Sequence, residues 1–387
     1  MSAFNPDDFQ LSREHSQRLD HLHDAFISGV ERHLGFPANI LYDYTDLHRF
    51  FNFTINNVGD PFADEGIYEI NTHAFEREVL AFFADLYHAS EGAYGGHITN
   101  GGTEGNMYAL YLAREALPDG IMYFSHDAHY SMPKIAKVLG VPYRLIRSQA
   151  NGEMDYTDLE KQLGEHPDRP PIIVATIGTT MKGAVDRIEE IVEVLKCNAI
   201  ENFYIHCDGA LGGMVLPFVE HAPLFDFQLP ISSISVSGHK MIGSPIPCGV
   251  VIVRKEHVAR VQREIELIGS HDTTLSGSRN GHSVLFLWCA VQRFGIDGFK
   301  QMIARCFDLK KYTLKKLKET SWDAYSGDYS VIIMIKRPSD RLVRKWQLAI
   351  EKDSAHLVIM PNITKEHIDA FIEDLRQEKT RLIKKKK

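Results

Sequence analysis

Near the N-terminus Leu11, Leu19, Leu22, Phe26, Val30 and Leu34 recur mostly at three- and four-residue steps, the period of one face of a helix. Pro37 breaks that run, and 51–62 reads as loop before a helix over about 75–87. From there short apolar runs alternate with helical patterns. The spacing predicts a helix from near Thr103, strand 121–125, helix 131–138, strand 142–147, helix 156–163, strand 172–177 and helix 186–197, then strands 203–207, 233–236 and 249–253. Strands alternating with helices predict an α/β fold, a mainly parallel sheet covered on both faces. Beyond Phe294 the order changes to helix 299–318, strand 329–336, helix 339–351, strand 356–360 and helix 364–378, which predicts a small α+β domain. The expected organisation is a helical and loop segment over 1–70, a large domain over 71–295 and a small C-terminal domain over 296–387.

Composition narrows the class. With 387 residues, 44% hydrophobic and 24% charged, the chain has the make-up of an ordinary globular protein with room for two domains. A net charge of −8 gives no reason to expect a nucleic-acid partner, and the basic tail Ile383-Lys384-Lys385-Lys386-Lys387 reads as a solvated end. Five cysteines, odd in number and without CxxC spacing, read as reduced thiols and point to the cytoplasm. The stretch from Met1 to Arg18 is polar with no apolar core, so a secretory signal is not expected there, and no apolar run reaches membrane-spanning length.

The candidate chemistry gathers at strand ends. Lys240 closes the run Ser233-Ile234-Ser235-Val236-Ser237-Gly238-His239-Lys240, and Asp208 closes Tyr204-Ile205-His206-Cys207-Asp208. A strand-end lysine preceded by a strand-end aspartate suits a pyridoxal 5′-phosphate (PLP) enzyme. The amine condenses with the cofactor's aldehyde, and the carboxylate keeps the pyridine nitrogen protonated. Asn100-Gly101-Gly102-Thr103-Glu104-Gly105-Asn106 leads into a helical pattern, where glycines let backbone amides approach a phosphate and Thr103 can cap the helix. It is neither a Walker A loop nor GxGxxG. His129, just after a strand, can stack on a cofactor ring, and Gly178-Thr179-Thr180 would face the same crevice. Ser237 and His239 can donate to the phosphate, and Ala210 leaves room for a flat ring. Each motif alone has a plainer reading: a glycine turn, a structural histidine, a turn aspartate, a solvated lysine.

Taken together the motifs resemble the group II PLP-dependent amino-acid decarboxylases, most closely the branch of bacterial histidine decarboxylases and plant serine decarboxylases. The resemblance spans about 36–376 and rests on Thr99-Asn100-Gly101-Gly102-Thr103-Glu104-Gly105-Asn106, His129-Tyr130-Ser131, Ile177-Gly178-Thr179-Thr180, Ser237-Gly238-His239-Lys240 and Ser276-Gly277-Ser278-Arg279-Asn280-Gly281. It implies PLP fold type I, like aspartate aminotransferase, with a seven-stranded-type sheet. It also implies a homodimer built partly by residues 1–70, with active sites at the interface. By resemblance Lys240 carries the cofactor, Asp208 partners its ring nitrogen and His129 stacks. Gly102, Thr103, Ala210, Ser237 and His239 seat the cofactor, Ser278 reaches the phosphate from the partner subunit, and Asn57 and His97 lie on the substrate side. The implied reaction is decarboxylation of an L-amino acid, histidine first and serine second.

Two departures bear on the chemistry. His97 stands where the family has a tyrosine near the substrate side chain, and Leu267 stands where a mobile loop carries a proton-donating tyrosine. No tyrosine occurs between Lys240 and Tyr312. Either His271 donates the proton, or the reaction diverts to a decarboxylation-dependent aldehyde synthase. A catalytically dead PLP-binding homologue is the remaining alternative. The HxxH pair His126 and His129 suggests no third metal ligand.

Overall fold

The computed structural model describes residues 10–63 and 66–385, with side chains up to residue 380. The basic tail therefore lies outside the described side chains. The chain opens with α1 (Arg13–Val30), capped by Ser12, whose hydroxyl accepts the His15 amide. There follow β1 (Asn56–Val58), α2 (His73–Leu86), β2 (Tyr94–Thr99) and α3 (Gly102–Ala116). The alternating stretch comprises β3 (Ile121–Ser125), α4 (Met132–Leu139), β4 (Tyr143–Ile146), α5 (Tyr156–Gly164), β5 (Pro171–Thr176), α6 (Ile188–Cys197), β6 (Tyr204–Asp208), β7 (Ser233–Ser237) and β8 (Gly249–Arg254).

These strands form one seven-stranded sheet in the order β2-β8-β7-β6-β5-β3-β4. From β4 to β7 every neighbouring pair is parallel, while β8 runs antiparallel to both β7 and β2. Strands β3, β5, β6 and β7 are buried along their whole length, which is why they read as continuous apolar or small-residue runs rather than alternating ones. Residues such as Ile173, Val174 and Ile205 have no exposure at all. Truncating one of them to alanine removes roughly 2–5 kcal/mol.

The chain then passes α7 (Lys255–Val258), a hairpin of β9 (Arg263–Ile265) and β10 (Ser270–Asp272), and β11 (Ser278–Asn280), which pairs with β1. Helix α8 (Gly281–Glu319) kinks at Gly295, where φ is 51° and ψ is −166°, and its second half is the predicted helix 299–318. The C-terminal unit contains β12 (Ala324–Tyr325), β13 (Ile332–Lys336), α9 (Asp340–Lys345), β14 (Ala349–Glu351), β15 (Ser354–Val358) and α10 (Lys365–Lys385). Its sheet runs β12-β13-β15-β14, antiparallel throughout.

Two expectations need correction. The predicted helix 339–351 stops at Lys345, and 349–351 form β14, because Gln347 takes a φ of 49° that ends the helix and Lys352 a φ of 50° that turns the hairpin. Strand β2 was not predicted, since Gly95 and Gly96 are poor strand formers. Gly96 is required there: a Cβ would meet the Val251 carbonyl oxygen at 1.9 Å. The amphipathic helix predicted at the N-terminus forms as α1, and its apolar face lies outside the core. Leu19, Leu22 and Phe26 are 55%, 49% and 64% exposed, and only Leu34 beyond the helix is buried.

Leu34 and Gly35 instead join the small domain. The Leu34 amide donates to the Trp346 carbonyl, the Val358 amide to the Leu34 carbonyl, and His356 Nε2 to the Gly35 carbonyl at 2.9 Å. This seam carries residues 35–37 to the edge of the large domain, beside the carboxyl ends of the parallel strands.

Candidate active site

Because β2, β3, β5, β6 and β7 share one direction, Thr99, Ser125, Thr176, Asp208 and Ser237 all end at one edge of the sheet. Open α/β sheets bind ligands at that edge. A cavity of about 300 Å³ lies there, and Gly102, Thr103, His129, Asp208, Ala210, Ser237, His239 and Lys240 all line it. The small domain closes the other side with Ile332, Ala349, His356 and Val358, together with Gly35, Phe36 and Pro37.

Helix α3 begins at this wall. Thr103 does not cap it, because the helix starts one residue earlier, at Gly102, with Gly101 in the cap position. Glu104 reaches back instead, and its Oε2 accepts from the Asn100 amide at 2.9 Å and from Asn100 Nδ2 at 2.7 Å. First-turn amides of a helix have no intrahelical acceptor, so they and the helix dipole favour an anion. A Cβ on Gly102 would stand 2.6 Å from Ser237 Oγ, so glycine keeps this corner open.

The charged groups are placed by β6 and β7. Asp208 is 4% exposed, and its Oδ1 accepts from the Ala210 amide at 3.2 Å. Burial lowers the pKa of Lys240, while the charge of Asp208 opposes that fall. Burial also lowers the pKa of His129, with Asp208 opposing and Lys240 and Lys134 adding to the effect. The Ser131 amide donates to His129 Nδ1 at 3.4 Å and the Ser131 hydroxyl lies 2.7 Å from the same atom, so a neutral ring carries its proton on Nε2. His239, neutralised first by burial, is tied through Nδ1 to the Cys248 backbone, 3.0 Å from its carbonyl oxygen.

This donor set fits PLP. A helix N-terminus with neighbouring hydroxyls suits a phosphate, a buried carboxylate suits a pyridinium, and a desolvated amine suits an aldehyde.

Four predicted site residues are not brought to the cavity within one chain. Asn57 is buried and spends its amide on Glu76 Oε2 at 2.7 Å and on the amide and hydroxyl of Thr72. His97 is fully buried on β2, its ring 4.4 Å from that of Tyr108, close to the buried Glu76–Arg279 ion pair. Ser278 is exposed on β11 and its hydroxyl accepts from Asn56 Nδ2 at 3.1 Å. His271 is half-buried on β10, and its carbonyl accepts from the Asp60 amide. Leu267, at the tip of the same hairpin, is 85% exposed.

Sequence reasoning missed the far wall. Ala349, His356 and the Gly35-Phe36-Pro37 segment come from regions distant in sequence, and only the seam between Leu34 and the small domain brings them in. It placed Asn106 in the glycine motif without giving it a role, and this residue, one turn into α3, also lines the cavity.

The comparisons agree with this geometry. Residues 69–324 match the pyridoxal-dependent decarboxylase conserved domain. The chain is 45% identical over 349 residues to serine decarboxylase 2 of Oryza sativa subsp. japonica, covering 90% of this chain and 74% of that protein. It is 42% identical over 368 residues to the histidine decarboxylase of Morganella morganii, covering 94% and 97%. Among solved structures, L-methionine decarboxylase from Streptomyces sp. 590 superposes with a TM-score of 0.85 at 25% identity over 98% of both chains.

Proposed function

We infer, for a chain that belongs to the pyridoxal-dependent decarboxylase family, that this cavity releases the α-carboxylate of L-histidine, and next in preference L-serine, as carbon dioxide. The fold is PLP fold type I, the cofactor is PLP and the reaction class is amino-acid decarboxylation. The observation that carries the site assignment is the convergence of Lys240, Asp208 and His129 on one cavity at the strand ends.

When bound, PLP supplies an electron sink for the bond between Cα and the carboxylate. The residues divide the remaining work. Lys240, its pKa lowered by burial, would hold the cofactor through its amine. Asp208 would hold a proton on the pyridine nitrogen. Neutral His129 would flank the ring, and the first turn of α3 with Ser237 and His239 would seat the phosphate. Together with the small-domain wall they limit water around the reacting carbon.

The preference for histidine rests on the Morganella relative, matched over 97% of its own length. The test is a screen of the twenty amino acids for carbon dioxide, amine and peroxide. One amine per carbon dioxide from histidine or serine supports the reading, and silence with all twenty sinks it. Peroxide and aldehyde would instead favour the aldehyde-synthase alternative, for which Leu267 in place of a tyrosine is the specific observation.

The exposed apolar face of α1 and the exposed Phe51, Phe53 and Ile67 support a homodimer, because large apolar side chains in such number are normally covered. In that dimer Ser278 and His271 would serve the partner's cavity. All five cysteines are unpaired, which supports a cytoplasmic location. Among the described residues no helix is long and apolar enough to cross a membrane.

A further inference from the structure

The segment that follows α1 links the small domain to the turn carrying Lys240. At one end Leu34 and Gly35 are hydrogen-bonded to Trp346, Val358 and His356 of the small domain. Gly35 packs so closely that a Cβ would stand 2.3 Å from the Gln347 carbonyl oxygen, which leaves this end no room to shift. At the other end Asn39, 3% exposed, meets the lysine turn. Its backbone amide donates to the Lys240 carbonyl at 3.3 Å, and its Nδ2 donates to the Met241 carbonyl at 2.8 Å. One residue from far upstream thus holds two consecutive carbonyls, the first of them that of Lys240.

The neighbours fix which way the side-chain amide points. Asn39 Oδ1 accepts from the Leu41 amide at 3.2 Å, and Nδ2 also donates to the Tyr42 hydroxyl oxygen at 2.8 Å. Turned over, the amide would set its oxygen against the Met241 carbonyl and its own N–H groups against that of Leu41, and both contacts would repel. Further along, the Tyr44 hydroxyl donates to the Gly243 carbonyl at 3.3 Å. Gly243 has a φ of 89°, and a Cβ there would stand 2.5 Å from the Tyr42 ring. On its other side the turn is closed by the Gly238 amide on the Cys248 carbonyl at 2.8 Å and the Ser244 amide on the Gly238 carbonyl at 3.0 Å. Those bonds secure the ends of the turn, and Asn39 secures its middle.

We propose that Asn39 is a positioning residue for Lys240: by holding the carbonyls of Lys240 and Met241 it fixes the backbone from which the lysine amine reaches the cofactor. Asn39 touches none of the reacting atoms. The proposal rests on the reading of this cavity as a PLP site. A lysine on a loosened turn is placed for the cofactor only part of the time, and apparent affinity falls by that fraction.

The test titrates full-length apoprotein with PLP by absorbance, then adds borohydride and follows the cofactor fixed to Lys240 by peptide mass spectrometry. Asn39→Ala keeps the backbone bond to Lys240 and removes the side-chain bond to Met241. We expect PLP affinity to fall about threefold to tenfold, the reach of one hydrogen bond, and trapping on Lys240 to slow with it. Asn39→Asp keeps the size and the acceptor for Leu41 but sets an oxygen against the Met241 carbonyl, so its loss should exceed that of alanine. Leu163→Ala, a core truncation on α5, shows what lowered stability alone does, and should leave both readouts near wild type. Apoprotein melting temperature identifies any variant that has lost its fold, and if Asn39→Asp is among them Asn39→Ser joins Asn39→Ala in the comparison. Folded Asn39 variants with wild-type affinity and trapping, or with losses no greater than those of Leu163→Ala, overturn the proposal. A wild-type chain that takes up no PLP, or fixes it to another lysine, overturns the cofactor reading itself before any variant is needed.

Discussion

Asp208 and Lys240 follow adjacent parallel strands to the same edge of the sheet, with Asp208 level with Ser235 in the register of β6 and β7. Burial pushes the lysine toward its neutral form, and the aspartate's charge works against that push.

Replacing Asp208 with alanine should leave the fold intact and remove most turnover. An activating charge partner of this kind contributes roughly several kcal/mol to the barrier, on the order of 10²-fold or more in kcat. Steady-state kinetics on the folded variant checks this, and a near-normal rate would take Asp208 out of its assigned role. His129→Ala should still take up cofactor yet turn over far more slowly.

The hairpin of β9 and β10 offers a second check. Leucine cannot donate a proton, and Leu267 projects into solvent, whereas His271 is half-buried beside Gly59 and Asp60. General-acid help is worth about 10²–10⁴-fold. Leu267→Tyr should raise the ratio of amine to aldehyde, and His271→Ala should lower amine formation more than carbon dioxide release. If wild type yields one amine per carbon dioxide and His271→Ala changes neither rate, the hairpin plays no part in proton delivery.

Dimerisation can be read directly by sedimentation. Leu22→Asp with Phe26→Asp places two charges on the exposed face of α1. The expected result is a wild-type dimer and a variant shifted toward monomer with reduced activity. A wild-type monomer with full activity would contradict interface active sites.

Acid sensitivity should trace to buried histidines. His97 falls from 6.5 to about 3, first through burial and then through the nearby Arg279 charge, and His206 falls to about 4 through burial. Their folded pKa values lie below the ordinary one, so the unfolded chain binds more protons in that window. Stability is then fully present above about pH 6.5 and is lost as pH falls, by about 1.4 kcal/mol per pH unit for each histidine. Asp186, buried and raised to about 7, acts in the opposite direction over part of that range. His206→Gln should therefore flatten the acid side of the curve of stability against pH, and an unchanged slope would remove His206 from the account.

Much of the large domain was legible because its strands are apolar and its helices periodic. Strand β3 and the ends carrying Asp208 and Lys240 fell where the pattern put them. The small domain was harder, since Leu342, Trp346 and Leu348 keep a helical rhythm into a segment that the left-handed Gln347 turns away. The strand-end residues of the cavity could be found from motifs. The partners of Asn106 and His356 could not, because His206 and Gly35 lie 100 and 321 residues away in sequence. Nor does motif spacing say that Asn57 would spend its whole side chain on Glu76 and Thr72.

The account turns on Lys240, and reductive trapping tests it most directly. The holoenzyme is expected to be yellow, with an absorption band that borohydride abolishes while fixing the cofactor covalently. Peptide mass spectrometry should then find one adduct, on Lys240, and Lys240→Ala should retain none. An adduct on another lysine, or no adduct at all on a folded wild-type protein, would contradict the account.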